Sequence, residues 1–341
     1  MLTLSAFQAK YQKMPVEIYP NQTTSKKPIV TVCVFAYNHE NYIAQCLDGV
    51  LMQQTDFDFV IYVGEDESTD STRAICKEYA DRYPEKIQLF LHDKRNKTIF
   101  NGRPCGKFNF MYLMLSVKTP YIALCDGDDY WTDPTKLQKQ INFLQQNSDY
   151  SLCFHDAHIQ YDATISEERS SDHMPFAANK SITKRDLFHV NYIPTISTVS
   201  RYYPEALEEY IMNLAFADWP MHLYSLSCGK GYYIHESMAV YRKHQSSLWA
   251  TQSRIYILDQ VLNAMSSIDQ HFATSWKDKL ALQKGFSEHF FKLILFEREA
   301  SGRRAALSRF KKGLQQTHFF LLSHLFLFGA KRLRHRVRML F

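Results

Sequence analysis

Three carboxylates fall within four residues at Asp126-Gly127-Asp128-Asp129, directly after the apolar run Tyr121-Ile-Ala-Leu-Cys125. Like charges this close repel one another, and an apolar strand gains nothing by ending in them unless a cation offsets the charge. Mn2+ or Mg2+ would do so. Both prefer oxygen ligands, and Mg2+ in particular is held by one or two carboxylates plus substrate phosphates, which suits a nucleotide diphosphate. The alternative for an isolated D-G-D-D is a solvated turn in which Asp129 or Asp133 caps the next helix.

Three further segments carry chemistry. In Gly64-Glu65-Asp66-Glu67-Ser68-Thr69-Asp70, a carboxylate at a strand end could accept the N–H of a nucleobase or the hydroxyls of a ribose, although Ser68-Thr69-Asp70 also reads as a turn and helix cap. In Ala217-Asp218-Trp219-Pro220, Asp218 could be a general base that removes a proton from an attacking hydroxyl, or a plain N-cap. Val240-Tyr241-Arg242-Lys243-His244 gathers donors suited to a phosphate or a metal, whereas a lone histidine would more often be structural.

These groups need a sheet to position them. From Ile29 the chain alternates β-branched or aromatic runs with amphipathic stretches: 30–35, 42–53, 57–63, 72–83, 87–91, 108–117 and 121–125. The alternation predicts an α/β fold with a mostly parallel central sheet flanked by helices. Ligands of open α/β sheets bind beyond the carboxyl ends of the strands, where Ala36-Tyr37-Asn38-His39-Glu40, the Glu65 segment and the Asp126 segment all fall. Asp70-Ser71 and Asp133-Pro134 punctuate helix starts. Later strands are expected at 151–154, 195–200 and 232–241, helices at 204–213 and 219–227, and a polar loop at 164–180. Residues 1–27 read as an N-terminal extension, 28–250 as one catalytic domain, and 251–341 as a helical C-terminal region.

Net charge is only +5 over 341 residues, with the basic residues concentrated at the C-terminus, so no nucleic-acid partner is expected. Seven cysteines stand singly without a C-x-x-C pair, as buried free thiols do in a reducing compartment. The first residues lack a basic stretch followed by a long apolar core, which points to the cytosol. The apolar run 318–328 is shorter than the ~20 residues a bilayer span needs. With its basic neighbour 331–338 it could lie on the inner face of the cell membrane, or dock on the domain as a terminal helix with a solvated basic end.

In chain order, Val32-Cys-Val-Phe-Ala-Tyr-Asn38, Gly64-Glu-Asp-Glu-Ser-Thr-Asp70, Tyr121-Ile-Ala-Leu-Cys-Asp-Gly-Asp-Asp-Tyr-Trp-Thr-Asp-Pro134, Asp218-Trp-Pro-Met-His-Leu223 and Tyr241-Arg-Lys-His244 resemble family 2 of the glycosyltransferases, in its bacterial polysaccharide-building branch. The resemblance covers roughly 29–249 and implies an inverting enzyme of the GT-A fold with Mn2+ or Mg2+, a nucleotide-sugar donor (UDP-sugar favoured) and a saccharide or lipid-linked acceptor. It implies that Phe35, Tyr37, Glu40, Glu65 and Asp66 line the nucleotide pocket. Lys107, Asp129, Trp219 and Arg242 are expected on the nucleotide-sugar side. By the same likeness Asp128 is the principal metal ligand, Asp126 supports the ribose or metal, His244 helps hold the diphosphate or cation, and Asp218 is the base. Glu65 stands where the family's usual first aspartate meets the base, and Ala217 where members often carry a second acid or a glycine. Two other classes stay open: a silent nucleotide-sugar-binding scaffold, and a metal-dependent phosphotransferase or nuclease.

Overall fold

A computed structural model of the chain describes residues 4–19, 27–100, 103–162, 164–204, 211, 214, 216–244 and 252–316. The chain divides into two compact units, 1–183 with 192–213 and 217–244, and 184–191 with 214–216 and 245–341.

The first unit is built on a mixed sheet. Strands β2 (Val30–Ala36), β3 (Phe59–Glu65), β4 (Ile87–Leu91) and β7 (Tyr121–Asp126) run parallel in the order β4-β3-β2-β7. Helices α2 (Ile43–Leu51), α3 (Thr72–Arg82) and α4 (Lys107–Ser116) connect them, and a small hairpin of β5 (Thr98–Phe100) and β6 (Arg103–Cys105) precedes α4. Beyond β7 come β12 (Val199–Arg201), antiparallel to both neighbours, then β9 (Tyr150–Tyr161), β13 (Lys230–Lys243) and the edge strand β11 (Lys180–Ile182). The short β8 (Tyr130–Trp131) pairs antiparallel with β13, setting Tyr130 opposite Val240. That pairing lays the aspartate-rich turn beside the end of β13.

Period-2 alternation decides what each face buries. Val30, Val32, Val34 and Ala36 of β2, with Ala123 and Cys125 of β7, pack on α2, α3 and α5 (Lys136–Gln146) through Ile43, Leu47, Ala80, Leu137 and Ile141. Cys33, Ile122 and Leu124 face the other way, onto Phe108, Met111 and Met114 of α4. Helices cover both faces, as the alternating pattern requires.

Several local expectations change. Residues 1–27 are more than an extension: α1 (Leu4–Lys13) sets Phe7 4.8 Å from the Phe108 ring, and β1 (Glu17–Tyr19) adds an antiparallel edge to β4. The polar stretch expected as a loop holds β10 (Thr164–Arg169), paired with β9. Its mostly exposed side chains leave no apolar alternation to read, as is common for an edge strand. Helix α5 starts at Lys136, because the Asp133 carboxylate accepts from Thr135 N at 2.7 Å and closes a turn first. The expected helix at 204–213 lies largely outside the described residues.

In the second unit, α7 (Arg254–His271) is capped by Ser253, whose hydroxyl accepts from Tyr256 N at 3.1 Å. The long α8 (Trp276–Gln316) breaks its helical dihedrals at Gly302, with φ 84°. Asp278 near its start accepts from Arg185 at 2.8 Å, tying 184–191 to the C-terminal helices. Among the described residues no helix is long and apolar enough to cross a membrane.

Gly64 is required by a close approach between β3 and α4. A Cβ there would sit 1.8 Å from Asn109 Oδ1, while Asn109 Nδ2 donates to Gly64 O at 2.8 Å. Gly64→Ala should destabilise the first unit by about 1–3 kcal/mol, seen as a lower urea midpoint at unchanged slope. An unchanged midpoint would mean that the β3–α4 spacing yields freely.

Candidate active site

Strand register brings the chemistry together. β2, β3 and β7 end side by side, with Phe35 opposite Asp126 and Ala36 opposite Glu65. Gly127 N donates to Phe35 O at 2.8 Å and Asp66 N to Ala36 O at 3.0 Å, so both acidic segments are tied to the end of β2. Residue 127 must be small: a Cβ would lie 2.8 Å from both Phe35 O and His39 Nδ1.

The β2–α2 and β3–α3 loops interlock. Asn38 and Glu67 both adopt left-handed backbone, φ 55° and 56°. Asn38 N donates to Ser68 Oγ, and Thr69 N to Asn38 Oδ1. Glu40 N donates to Asp70 Oδ2 at 3.1 Å, and Ser71 N to Glu40 Oε2 at 3.0 Å. The exposed Glu40 therefore serves the first turn of α3, satisfying a helix-start N–H that has no partner within the helix.

The two acids after β3 differ sharply. Glu65 is fully buried; its carboxylate pairs with Arg73 and accepts from Ser68 N at 2.7 Å. Asp66 is 3 % exposed, and its Oδ1 meets no hydrogen-bond partner within the protein. Lys97 Nζ lies 3.9 Å from Asp66 Oδ2 and 3.4 Å above the centre of the half-exposed Tyr37 ring. Asp66, Lys97 and Tyr37 thus combine an unfilled acceptor, a cation and an aromatic face. Lys97 escaped the sequence reading because it sits between elements, with no strand-end position to mark it. Phe35 is half-buried against Phe110, 5.2 Å between ring centres, and Lys107 opens α4, buried enough to lower its ammonium pKa to about 8.

Around the D-G-D-D turn the carboxylates are neutralised one by one. Asp128 Oδ2 lies 3.1 Å from His244 Nε2 and 3.9 Å from His39 Nε2. Burial opposes its charge, but the His244 hydrogen bond and the two imidazoles prevail and hold its pKa below the usual range. Asp126 is pushed up to about 7, by burial first and then by the charges of Asp128 and Asp218. Asp129 is 1 % exposed and accepts Arg242 N at 2.7 Å; burial and its two neighbours raise its pKa. Among the described residues no three His, Cys, Asp or Glu side chains are grouped so as to hold a metal ion. Asp128 Oδ2 and His244 Nε2, 3.1 Å apart, are spaced as two neighbouring ligands of a hard divalent cation whose remaining positions would go to phosphates and water.

Asp218 is the first residue of α6 (Asp218–Cys228), with Ala217 as the N-cap. A carboxylate in a first helical turn is favoured by the helix dipole. It is also close enough to Asp126 for its charge to raise that group's pKa. Tyr241, part of the donor-rich segment 240–244 but given no role there, is 38 % exposed. Burial of its phenol, then Asp129, Asp126, Asp128 and Asp218, raise its pKa. Trp219 and Arg242, expected beside the donor, are buried, at 3 % and 5 % exposure.

A family profile described as Glycosyl transferase family 2 matches residues 31–201, half of the chain. An uncharacterized protein of Mycobacterium tuberculosis is 34 % identical over 220 residues, covering 64 % of this chain and 60 % of that one. This chain therefore spans less than two thirds of that relative. Among solved structures, S. aureus TarS 1-349 in complex with UDP-GlcNAc superposes with a TM-score of 0.58 at 15 % identity, over 81 % of this chain and 79 % of that one. The mannosyltransferase PcManGT from Pyrobaculum calidifontis, in complex with GDP-Man and Mn2+, gives 0.53 at 13 % identity, over 93 % and 88 %. The fold is thus the GT-A fold of these glycosyltransferases, and the chain belongs to glycosyl transferase family 2.

Burial first, partly countered by Lys97, pushes Asp66 up to about 7. A carboxyl raised in the folded state contributes stability that is complete below its unfolded pKa, about 4, and is lost as pH rises through the folded value. The ligand-free protein should therefore lose this contribution between about pH 4 and pH 7, and Asp66→Asn should flatten that part of the urea-midpoint profile. Parallel profiles for the two proteins would show that Asp66 titrates normally.

Proposed function

We propose that the chain is a metal-dependent inverting glycosyltransferase that moves a sugar from a nucleotide-sugar donor, UDP-sugar favoured, to a saccharide or lipid-linked acceptor in cell-surface polysaccharide synthesis. The observation that carries this reading is the gathering at one sheet edge of Asp66 with its unfilled acceptor, Asp128 paired with His244, and Asp126 close to both Asp128 and Asp218. A nuclease or phosphotransferase would need the acidic turn but neither a base-facing Asp66 nor an acceptor-side Asp218.

In this reading Asp66 accepts a nucleobase N–H, Tyr37 offers the base its ring face, and Lys97 donates to a base carbonyl or a phosphate. Glu65 contributes through Arg73 and Ser68, holding the loop that presents Asp66. Asp128, Asp126 and His244 would hold Mn2+ or Mg2+, which when bound supplies positive charge against the departing diphosphate. The acceptor hydroxyl oxygen attacks the anomeric carbon in line, the bond from that carbon to the diphosphate oxygen breaks, and the nucleoside diphosphate leaves with the electron pair. Asp218 takes the hydroxyl proton as the new bond forms. One displacement inverts the anomeric centre. The complexes of TarS with UDP-GlcNAc and of PcManGT with GDP-Man and Mn2+ support a donor of this kind on this fold.

Thermal stabilisation by UDP-, GDP-, dTDP- and CMP-sugars with and without Mn2+ tests the donor site. One nucleotide class should stabilise the protein only with metal, and Asp128→Ala should abolish the effect. Asp218→Asn should keep donor binding while transfer falls on the order of 10²–10⁴-fold. No stabilisation by any donor would favour the silent scaffold, and cleavage of nucleic acid would favour the nuclease.

A lipid-linked acceptor would place the protein at the inner face of the cell membrane, attached through the apolar and basic stretch 318–338, which lies outside the described residues. Cosedimentation with vesicles containing phosphatidylglycerol, lost on neutralising the arginines and lysines of 331–338, is the expected result. Equal failure to sediment with neutral and anionic vesicles would remove the membrane from this reading.

A further inference from the structure

Arg242 stands two residues before His244, where a guanidinium could be expected to meet the donor phosphates. Its geometry serves the protein instead. Nη1 donates to Asp128 O at 2.6 Å, and Nη2 donates to Gln45 Oε1 on α2. Its own backbone N–H donates to Asp129 Oδ1 at 2.7 Å. The guanidinium centre lies 4.3 Å from the Tyr130 ring centre and 5.0 Å from that of Tyr42, which in turn lies 4.8 Å from the His244 imidazole.

We infer that Arg242 is a positioning residue. It is a buried strut that locks the backbone of Asp128 to β13 and α2, and thereby sets the spacing between the Asp128 carboxylate and the His244 imidazole for a divalent cation. The inference rests on the proposed metal site and adds to it a residue that touches neither metal nor donor. Only a planar, multidentate cation can hold a main-chain carbonyl and a side-chain amide at once while lying against two aromatic rings; a lysine ammonium offers a point charge without the fork. The strut also explains why Asp129 is buried. Its carboxylate orients the Arg242 backbone, so the third aspartate of the turn supports the strut that steadies the second.

Mutation of groups that orient metal ligands without touching the metal typically costs 10–100-fold in metal affinity. The test is Mn2+ binding to the purified full chain, alone and with UDP, followed by loss of the free-Mn2+ electron paramagnetic resonance signal. Arg242→Lys should raise the Mn2+ dissociation constant by about 10–100-fold. In Arg242→Ala, millimolar guanidinium should recover much of the lost affinity by filling the slot between Tyr42 and Tyr130, without raising the melting temperature to the same degree. Gln45→Met, which removes the far anchor and leaves the charge, should weaken Mn2+ binding by a smaller factor, and it decides the matter if both Arg242 variants fail to fold. Unchanged Mn2+ affinity in folded Arg242→Lys, or in Gln45→Met where that variant decides, overturns the strut. Absence of Mn2+ binding by the unaltered chain overturns the metal site itself, a separate failure visible before any variant is made.

Discussion

Mutual repulsion among carboxylates governs this molecule. Asp126, Asp128, Asp129 and Asp218 share one corner of the first unit, with Glu65 and Asp66 two strands away along the same sheet edge. Left alone in a partly desolvated corner, such a group would protonate or push the strand ends apart. The fold meets each charge differently. Glu65 is paired with Arg73, Asp129 accepts a backbone N–H, Asp128 faces two imidazoles, and Asp126 and Asp66 are shifted towards the neutral form. The groups stabilised within the protein define the frame, and those left unsatisfied are the ones a ligand would complete.

The two halves of the sheet contribute differently to that corner. The parallel strands β4, β3, β2 and β7 deliver loops at one edge, where Phe35, Tyr37, Glu65 and Asp66 collect. The other half, entered through the antiparallel β12 and continued by β9 and β13, returns the chain from some 110 residues later to the same place. The pairing of β8 with β13 then sets Arg242 and His244 against Asp129 and Asp128. Rigidity comes from both sides, since the interlocked Asn38 and Ser68-Thr69 loops brace the ends of β2 and β3 while Arg242 braces the D-G-D-D turn.

The core beneath is not purely apolar. Lys136 is fully buried under the Asp133 turn, its ammonium 3.9 Å from the Trp131 ring centre and without a hydrogen-bond partner, and burial lowers its pKa to about 7. Near it, Cys46 and Cys125 bring their sulfurs to 3.5 Å as free thiols. A cation held against an aromatic face is tolerable where a bare one would not be. This places a weakly solvated amine directly behind the strand that ends in Asp126.

What the sequence determined by itself was whatever depends on local period and on residue type. Alternating apolar runs specified the strands and helices of an α/β sheet, since a buried strand and an amphipathic helix each need their own repeat. The clustering of acids at strand ends marked the edge at which open α/β sheets bind ligands. Illegible were the consequences of long-range pairing. β10 and β1 are polar or short and gain their hydrogen bonds only from a neighbouring strand. Lys97 meets Asp66 and Tyr37 only through folding of the segment after β4. Above all, the division of labour among identical carboxylates was decided in three dimensions. Glu65 and Asp66 are adjacent acids in sequence, yet one is consumed by Arg73 and the other keeps an oxygen unfilled, because a carboxylate's role is set by the donors that the fold brings within hydrogen-bond reach.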